Sequence, residues 1–162
     1  MFLLEKKGQK IKAQFAFALS TDPKYLILDE PTANFDPDFK QDLLNVIMQF
    51  MESGKKSVII ASHILDELDR IADYLIYLDK GELVYSGDIE SFRDKYRIIS
   101  GETYKVKLLK QEDIIHAEDR KYGTKALVVN HGYSKYDGAL TVTVPTLEEF
   151  MYHYSKRGES VI

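Results

Sequence analysis

Two short apolar runs constrain this chain more than any other feature. Residues 25–28 ("YLIL") and 57–62 ("SVIIAS") carry no charge, as expected of strands buried on both faces of a parallel sheet. Between them, Asp36-Pro37 reads as an N-cap followed by proline at the first helical position. Phe39, Leu43, Ile47 and Phe50 fall on one face of the helix that follows, and Gly54 supplies a stop. Strand, helix and strand in this order require a right-handed crossover and an α/β layered domain.

The flanking segments extend this pattern. Upstream, Ile11, Phe15, Ala18 and Leu19 recur at helical spacing until Pro23 breaks the run. Downstream, "ILDELDRIA" predicts a short helix. Residues 74–87 predict two strands around the turn Asp79-Lys80-Gly81, and Asp88 opens another helix running to about Tyr96. Composition shifts near residue 100, where "ISGE" reads as a joint. Beyond it, "TYKVKLL", "KALVVN" and "ALTVTVP" read as strands, "HGYSKYDG" as turns, and the residues after Thr146 as a closing amphipathic helix. The expected organisation is an α/β part over residues 1–99 and a small α+β appendage over 100–162. No internal repeat, low-complexity tract or heptad run is present.

Composition narrows the function classes. The 162 residues suffice for one domain, or one and an appendage. A net charge of −4 gives no general attraction to nucleic acid. The 11 tyrosines therefore read as core and interface residues, not as stacking platforms. With no cysteine, disulfides and thiolate metal sites are excluded. No apolar run approaches the roughly 20 residues of a membrane helix, and "MFLL" is too short for a signal peptide. The expectation is a soluble intracellular chain that meets a membrane only through a partner.

The chemistry concentrates where the first strand ends. A buried parallel strand projects its C-terminal residues into the crevice where ligands of α/β sheets bind. Asp29 at that edge can hold Mg²⁺ through water. Glu30 can orient or deprotonate an attacking water. The plainer alternative is a strand that ends in a polar turn.

"DEPTANFDP" followed by "IIASH" resembles the ATP-binding subunit of ABC transporters. The resemblance implies that "YLILDE" is the Walker B strand, with Asp29 the magnesium residue and Glu30 the catalytic carboxylate. It makes "ANFDP" the D-loop, with Asp36 its acidic residue at the nucleotide, and His63 the switch histidine that contacts the γ-phosphate. The implied fold is the C-terminal part of a P-loop NTPase domain: an incomplete parallel sheet flanked by helices, plus the α+β appendage. Upstream, the family signature close to Leu-Ser-Gly-Gly-Gln aligns with "EKKGQ". Gly8 and Gln9 match and would serve the nucleotide from a helix N-terminus. Glu5, Lys6 and Lys7 depart from the pattern, and Lys6 cannot reproduce the serine hydroxyl. Residues 1–5 read as the accidental start of a truncated frame.

No Gly-x-x-x-x-Gly-Lys-[Ser/Thr] occurs in the sequence. "SGKKS" is the nearest string, but it precedes a strand, so it reads as a helix C-cap and turn. In the family, the phosphate loop, the adenine-stacking aromatic and the glutamine loop all lie N-terminal to this segment. The chain alone is therefore expected neither to bind nor to hydrolyse ATP usefully, and an open sheet edge is expected beside residues 25–28. ATP and Mg²⁺ would enter only a completed site. The implied partners are a membrane-spanning permease and a second ATP-binding subunit or a separate N-terminal lobe, and no nucleic acid. The implied location is cytoplasmic, peripheral at the inner face of the cell membrane. "PTLEEFMYHY" is similar to the C-terminal extension of export-type subunits, such as those of bacitracin or lantibiotic resistance, and implies drug or peptide export. Two alternatives stay open: the C-terminal lobe of an SMC-type DNA-repair ATPase, or a non-catalytic binding or regulatory module.

Overall fold

The computed structural model describes residues 2–33, 35–132, 138 and 140–158, with side chains from Gln9 onward. The chain divides into two compact units, Met1–Ile71 and Ala72–Ile162.

The first unit contains α1 (Phe2–Ser20), β1 (Tyr25–Asp29), α2 (Pro37–Met51), β2 (Ser57–Ala61) and α3 (Leu65–Ile71). β1 and β2 pair in parallel, Ile27 opposite Ile59 and Asp29 opposite Ala61, with α2 as the crossover. α2 starts as the sequence predicts. Asp36 Oδ1 accepts the Phe39 N–H at 2.9 Å and Pro37 takes the first turn. At the other end, Gly54 adopts φ 66° and its N–H reaches the Met51 carbonyl. Leu26, Leu43, Leu44 and Ile47 are buried. A groove of about 210 Å³ runs between α1, β1 and α2, lined by Ile11, Phe15, Leu26, Leu28 and Leu43 among others.

Two expectations are corrected here. The strands are not buried on both faces: Leu26 is 6% exposed, but Tyr25, Ile27 and Ile59 are 71%, 75% and 59% exposed. Successive strand residues point to opposite faces, and one face of this pair is bare. Gly8 and Gln9 do not mark a helix N-terminus, because α1 already begins at Phe2. The residues before Gly8 include leucine, glutamate and lysine, all good helix formers. The Gly8 and Gln9 amides lie past the first turn, whose N–H groups alone are left free by a helix.

The second unit opens with the antiparallel hairpin β3 (Tyr74–Asp79) and β4 (Glu82–Asp88). Its two-residue turn needs positive φ at both positions, and Lys80 and Gly81 supply 51° and 83°. Asp88 then caps α4 (Ile89–Lys95) through the Ser91 N–H at 2.7 Å. β5 (Tyr96–Gly101), α5 (Thr103–Val106), a 3₁₀ turn (Gln111–Asp113), β6 (Ile114–Arg120), β7 (Gly123–Val129), β8 (Thr141–Thr143) and α6 (Leu147–Ser155) follow. The strands form one antiparallel sheet in the order β6-β7-β5-β8. One face packs Ile99, Val106, Leu109, Ala117, Ala126 and Val128. The other meets α6 through an aromatic cluster in which Phe150 lies 4.7 Å from Tyr96 and 4.9 Å from Phe92, ring centre to ring centre. A capping box at Thr146 and Glu149 starts α6.

Three further expectations change. The joint expected at "ISGE" lies within and just after β5, where Ile99 is fully buried. The contact pattern divides the chain at residue 71 instead. "TYKVKLL" is a helix and turn, not a strand. Val106 and Leu109, three apart, both face the core, and that spacing fits a helix as well as alternation fits a strand. β6 was not foreseen, since its charged end hides the pattern and pairing with β7 sets it. The expected "HGYSKYDG" turns lie mostly outside the described residues.

Candidate functional site

The C-terminal edge of β1 and β2 brings two of the predicted residues together. Parallel pairing places Asp29 opposite Ala61, so the chain leaves both strands at the same edge. Glu30 follows Asp29 and keeps one more bond to the sheet, its N–H to the Ala61 carbonyl at 2.8 Å. The backbone then turns sharply. Glu30 has φ 46°, a left-handed conformation rare for a residue with a Cβ. The Ala33 N–H closes the turn onto the Glu30 carbonyl at 3.2 Å.

This bend aims the Glu30 side chain at the residues that follow β2. Its Oε1 accepts the His63 Nδ1–H at 2.7 Å and the His63 backbone N–H at 3.1 Å. The Ser62 hydroxyl reaches Oε2 at a longer 3.4 Å. The same hydroxyl accepts the Ile64 N–H at 3.0 Å, which fixes the segment that carries His63. The His63 imidazole holds the Glu30 carboxyl below the ordinary carboxylate range, against an opposing effect of burial. Glu30 is therefore an anion at neutral pH. A carboxylate held low is a weak base, better suited to orienting a water than to removing its proton unaided.

Asp29 precedes Glu30 in the chain and lines the groove between α1, β1 and α2. Asp36 acts differently, since its carboxylate caps α2. Gly8 and Gln9 lie within α1, so neither offers a helix-terminal amide to an anion. Among the described residues no group of three or more histidines or carboxylates can hold a metal. One strand-end carboxylate is nonetheless the donor set Mg²⁺ uses when nucleotide phosphates and water complete its shell. The residues fit an ion that arrives with a nucleotide, and do not fit a cage built by protein alone.

Sequence reasoning did not single out Thr32 and Glu67. Thr32, only 1% exposed, donates its hydroxyl to Glu67 Oε2 at 2.5 Å. Glu67 Oε1 pairs with Lys40 Nζ at 3.4 Å, and Arg70 reaches Gln41 at 3.3 Å. These contacts tie α3 to α2 and to the turn after Glu30. The one sequence signal was a hydroxyl placed directly after Glu30-Pro31, in a segment otherwise expected to be solvated.

No protein-family model matches the chain. Over about half its length it is similar to ABC transporter ATP-binding proteins. It is 41% identical over 80 residues to a Mycoplasma pneumoniae protein described as an ABC transporter ATP-binding protein, covering 49% of this chain and 24% of that protein. It is 40% identical over 92 residues to the energy-coupling factor transporter ATP-binding protein EcfA2 of Caldanaerobacter subterraneus subsp. tengcongensis, covering 56% and 32%. It is 35% identical over 80 residues to EcfA2 of Streptococcus pyogenes, covering 49% and 28%. The chain thus spans 24% to 32% of the length of these relatives. Among solved structures, UvrA2 from Deinococcus radiodurans aligns with a TM-score of 0.34 at 23% identity, over 49% of this chain and 13% of that one.

Proposed function

We propose that this chain is part of an ATP-binding subunit of an ABC transporter and supplies the carboxylate half of its hydrolytic site. The observation that carries the reading is the Glu30–His63 pair at the end of a parallel strand, joined at 2.7 Å beside Asp29. Asp29 would hold Mg²⁺ through water, Glu30 would orient the attacking water, and His63 would hold Glu30 in place and face the γ-phosphate. Bound Mg²⁺ would supply charge neutralisation on the phosphates. Asp36 would reach the nucleotide site through its second carboxylate oxygen, Oδ1 being held by the cap on α2. Gly8 and Gln9 would serve it only if the first turns of α1 unwound.

The phosphate-loop lysine and amides that dominate triphosphate affinity are not in this sequence. Residues 1–162 would therefore hydrolyse ATP only once a phosphate loop from outside them completes the site. The bare β1–β2 face of Tyr25, Ile27 and Ile59 supports such an addition. The complete assembly would lie at the inner face of the cell membrane and drive a permease. The likeness of "PTLEEFMYHY" to export-type extensions supports drug or peptide export. No helix among the described residues is long and apolar enough to cross a membrane.

The test adds a separately expressed phosphate-loop lobe to this chain and measures phosphate release. Hydrolysis should appear on mixing and fall at least about 100-fold in Glu30→Gln. Hydrolysis that Glu30→Gln leaves intact refutes the assignment.

A further inference from the structure

We infer that Glu67 is a positioning residue for the Glu30–His63 pair, acting through the hydroxyl of Thr32. The inference rests on the proposed role of that pair, but its physical basis is independent of nucleotide.

Glu30 sits in the left-handed region without being glycine. Such a conformation is strained and persists only where the surroundings over-determine it. Three constraints do so here. The Glu30 N–H is bonded to β2, and the Ala33 N–H closes the turn. The third is the side chain of Thr32, in the middle of the turn. Buried at 1% exposure, it is fastened to Glu67 at 2.5 Å.

The contacts close a ring. From Glu30 the chain passes through Pro31 to Thr32, whose hydroxyl crosses to Glu67 on α3. From Glu67 the chain runs back along α3, past its first residue Leu65, to His63. The imidazole of His63 returns to Glu30. The separation of acid and imidazole is therefore set twice, once by their own bond and once by the Thr32–Glu67 bond. Lys40 steadies the second link by holding the other Glu67 oxygen at 3.4 Å. Glu67 touches neither Glu30 nor His63 in any of these contacts, so it reaches the pair through Thr32 and the backbone.

A carboxylate acceptor at Nδ1 requires that nitrogen to carry the proton, whereas imidazole free in water favours the other tautomer. The fraction of neutral His63 protonated at Nδ1 therefore reports whether the pair is in register. The experiment is ¹⁵N NMR of the full chain at pH 8, with the His63 resonances assigned by His63→Gln. Wild type and Thr32→Ser, which keeps the hydroxyl, should show His63 predominantly protonated at Nδ1. Glu67→Gln, which keeps an oxygen for Thr32, should do the same. Thr32→Val and Glu67→Leu should each lower that fraction at least about twofold. Should one of these two fail to fold, judged by far-UV circular dichroism, the other carries the comparison. A folded Thr32→Val or Glu67→Leu with an unchanged tautomer overturns the inference, as does a wild type protonated at Nε2. Absence of hydrolysis on adding a phosphate-loop lobe would refute the proposed function and leave this result standing.

Discussion

The buried histidine pair of the second unit makes stability depend on pH in a calculable way. His153 on α6 is 1% exposed and His116 on β6 is 4% exposed, and their Nδ1 atoms lie 2.8 Å apart. Only one of the two nitrogens can carry a proton in that contact, because a second would set two N–H groups head to head. Burial and the adjacent His116 push His153 down to about 4, with Lys125 and Arg120 adding to the effect and Glu118 opposing it. In the unfolded chain the same imidazole titrates near 6.5. The folded state thus binds the proton less readily than the unfolded one, and stability falls as pH drops from about 6.5 towards 4. The difference amounts to about 3 kcal/mol in full, of which about 2 kcal/mol is already lost at pH 5. Glu118 and Glu149 are held below the ordinary carboxylate range, so their contributions fade only at lower pH. Comparison with a variant at His153 across the interval from pH 7.5 to 5 separates this imidazole from the other three histidines. The assay is urea unfolding across that interval, followed by near-ultraviolet circular dichroism of the tyrosines around Phe150. Wild type should lose about 2 kcal/mol between the two ends. His153→Gln, which can still offer His116 a partner, should lose much less. An equal loss in wild type and variant would refute the reasoning.

Two more outcomes follow from packing. Phe150→Ala removes the centre of the aromatic cluster, which Phe92, Tyr96, Tyr77 and Tyr154 surround, and should cost about 3–5 kcal/mol in urea unfolding. Gly123→Ala places a Cβ 2.2 Å from the Gly101 carbonyl oxygen at φ 134°. It should disrupt the β5–β7 end pairing, destabilise by more than the roughly 1–3 kcal/mol of backbone strain alone, and show as a lowered melting temperature.

What the sequence made legible was whatever a local rule governs. Asp36 and Asp88 cap helices because a short acceptor side chain precedes each run, and both do so in the structure. Lys80-Gly81 announced a hairpin, and Thr146 the start of the last helix. What escaped depends on partners distant in the chain. β6 is a strand because β7 lies beside it, and α5 forms where Val106 packs against Ile99, Ala126 and Val128 of the sheet. The site divides the same way. Glu30 and His63 were legible because each lies just past the end of a strand, and parallel strands end together. The Thr32–Glu67 bond was not, since it spans 35 positions and joins a turn to a helix. Gly8 and Gln9, the two residues of the signature that match, lie inside a helix that already begins at Phe2.

The exposed row of Tyr25, Ile27 and Ile59 also bears on the fate of the polypeptide after synthesis. Apolar strand surface left open is what chaperones retain and what proteases gain access to when a chain stays unassembled. A molecule with this face uncovered is short-lived as an orphan. Where those three side chains stay uncovered, the amount of protein at steady state is set by that clearance as much as by its rate of translation.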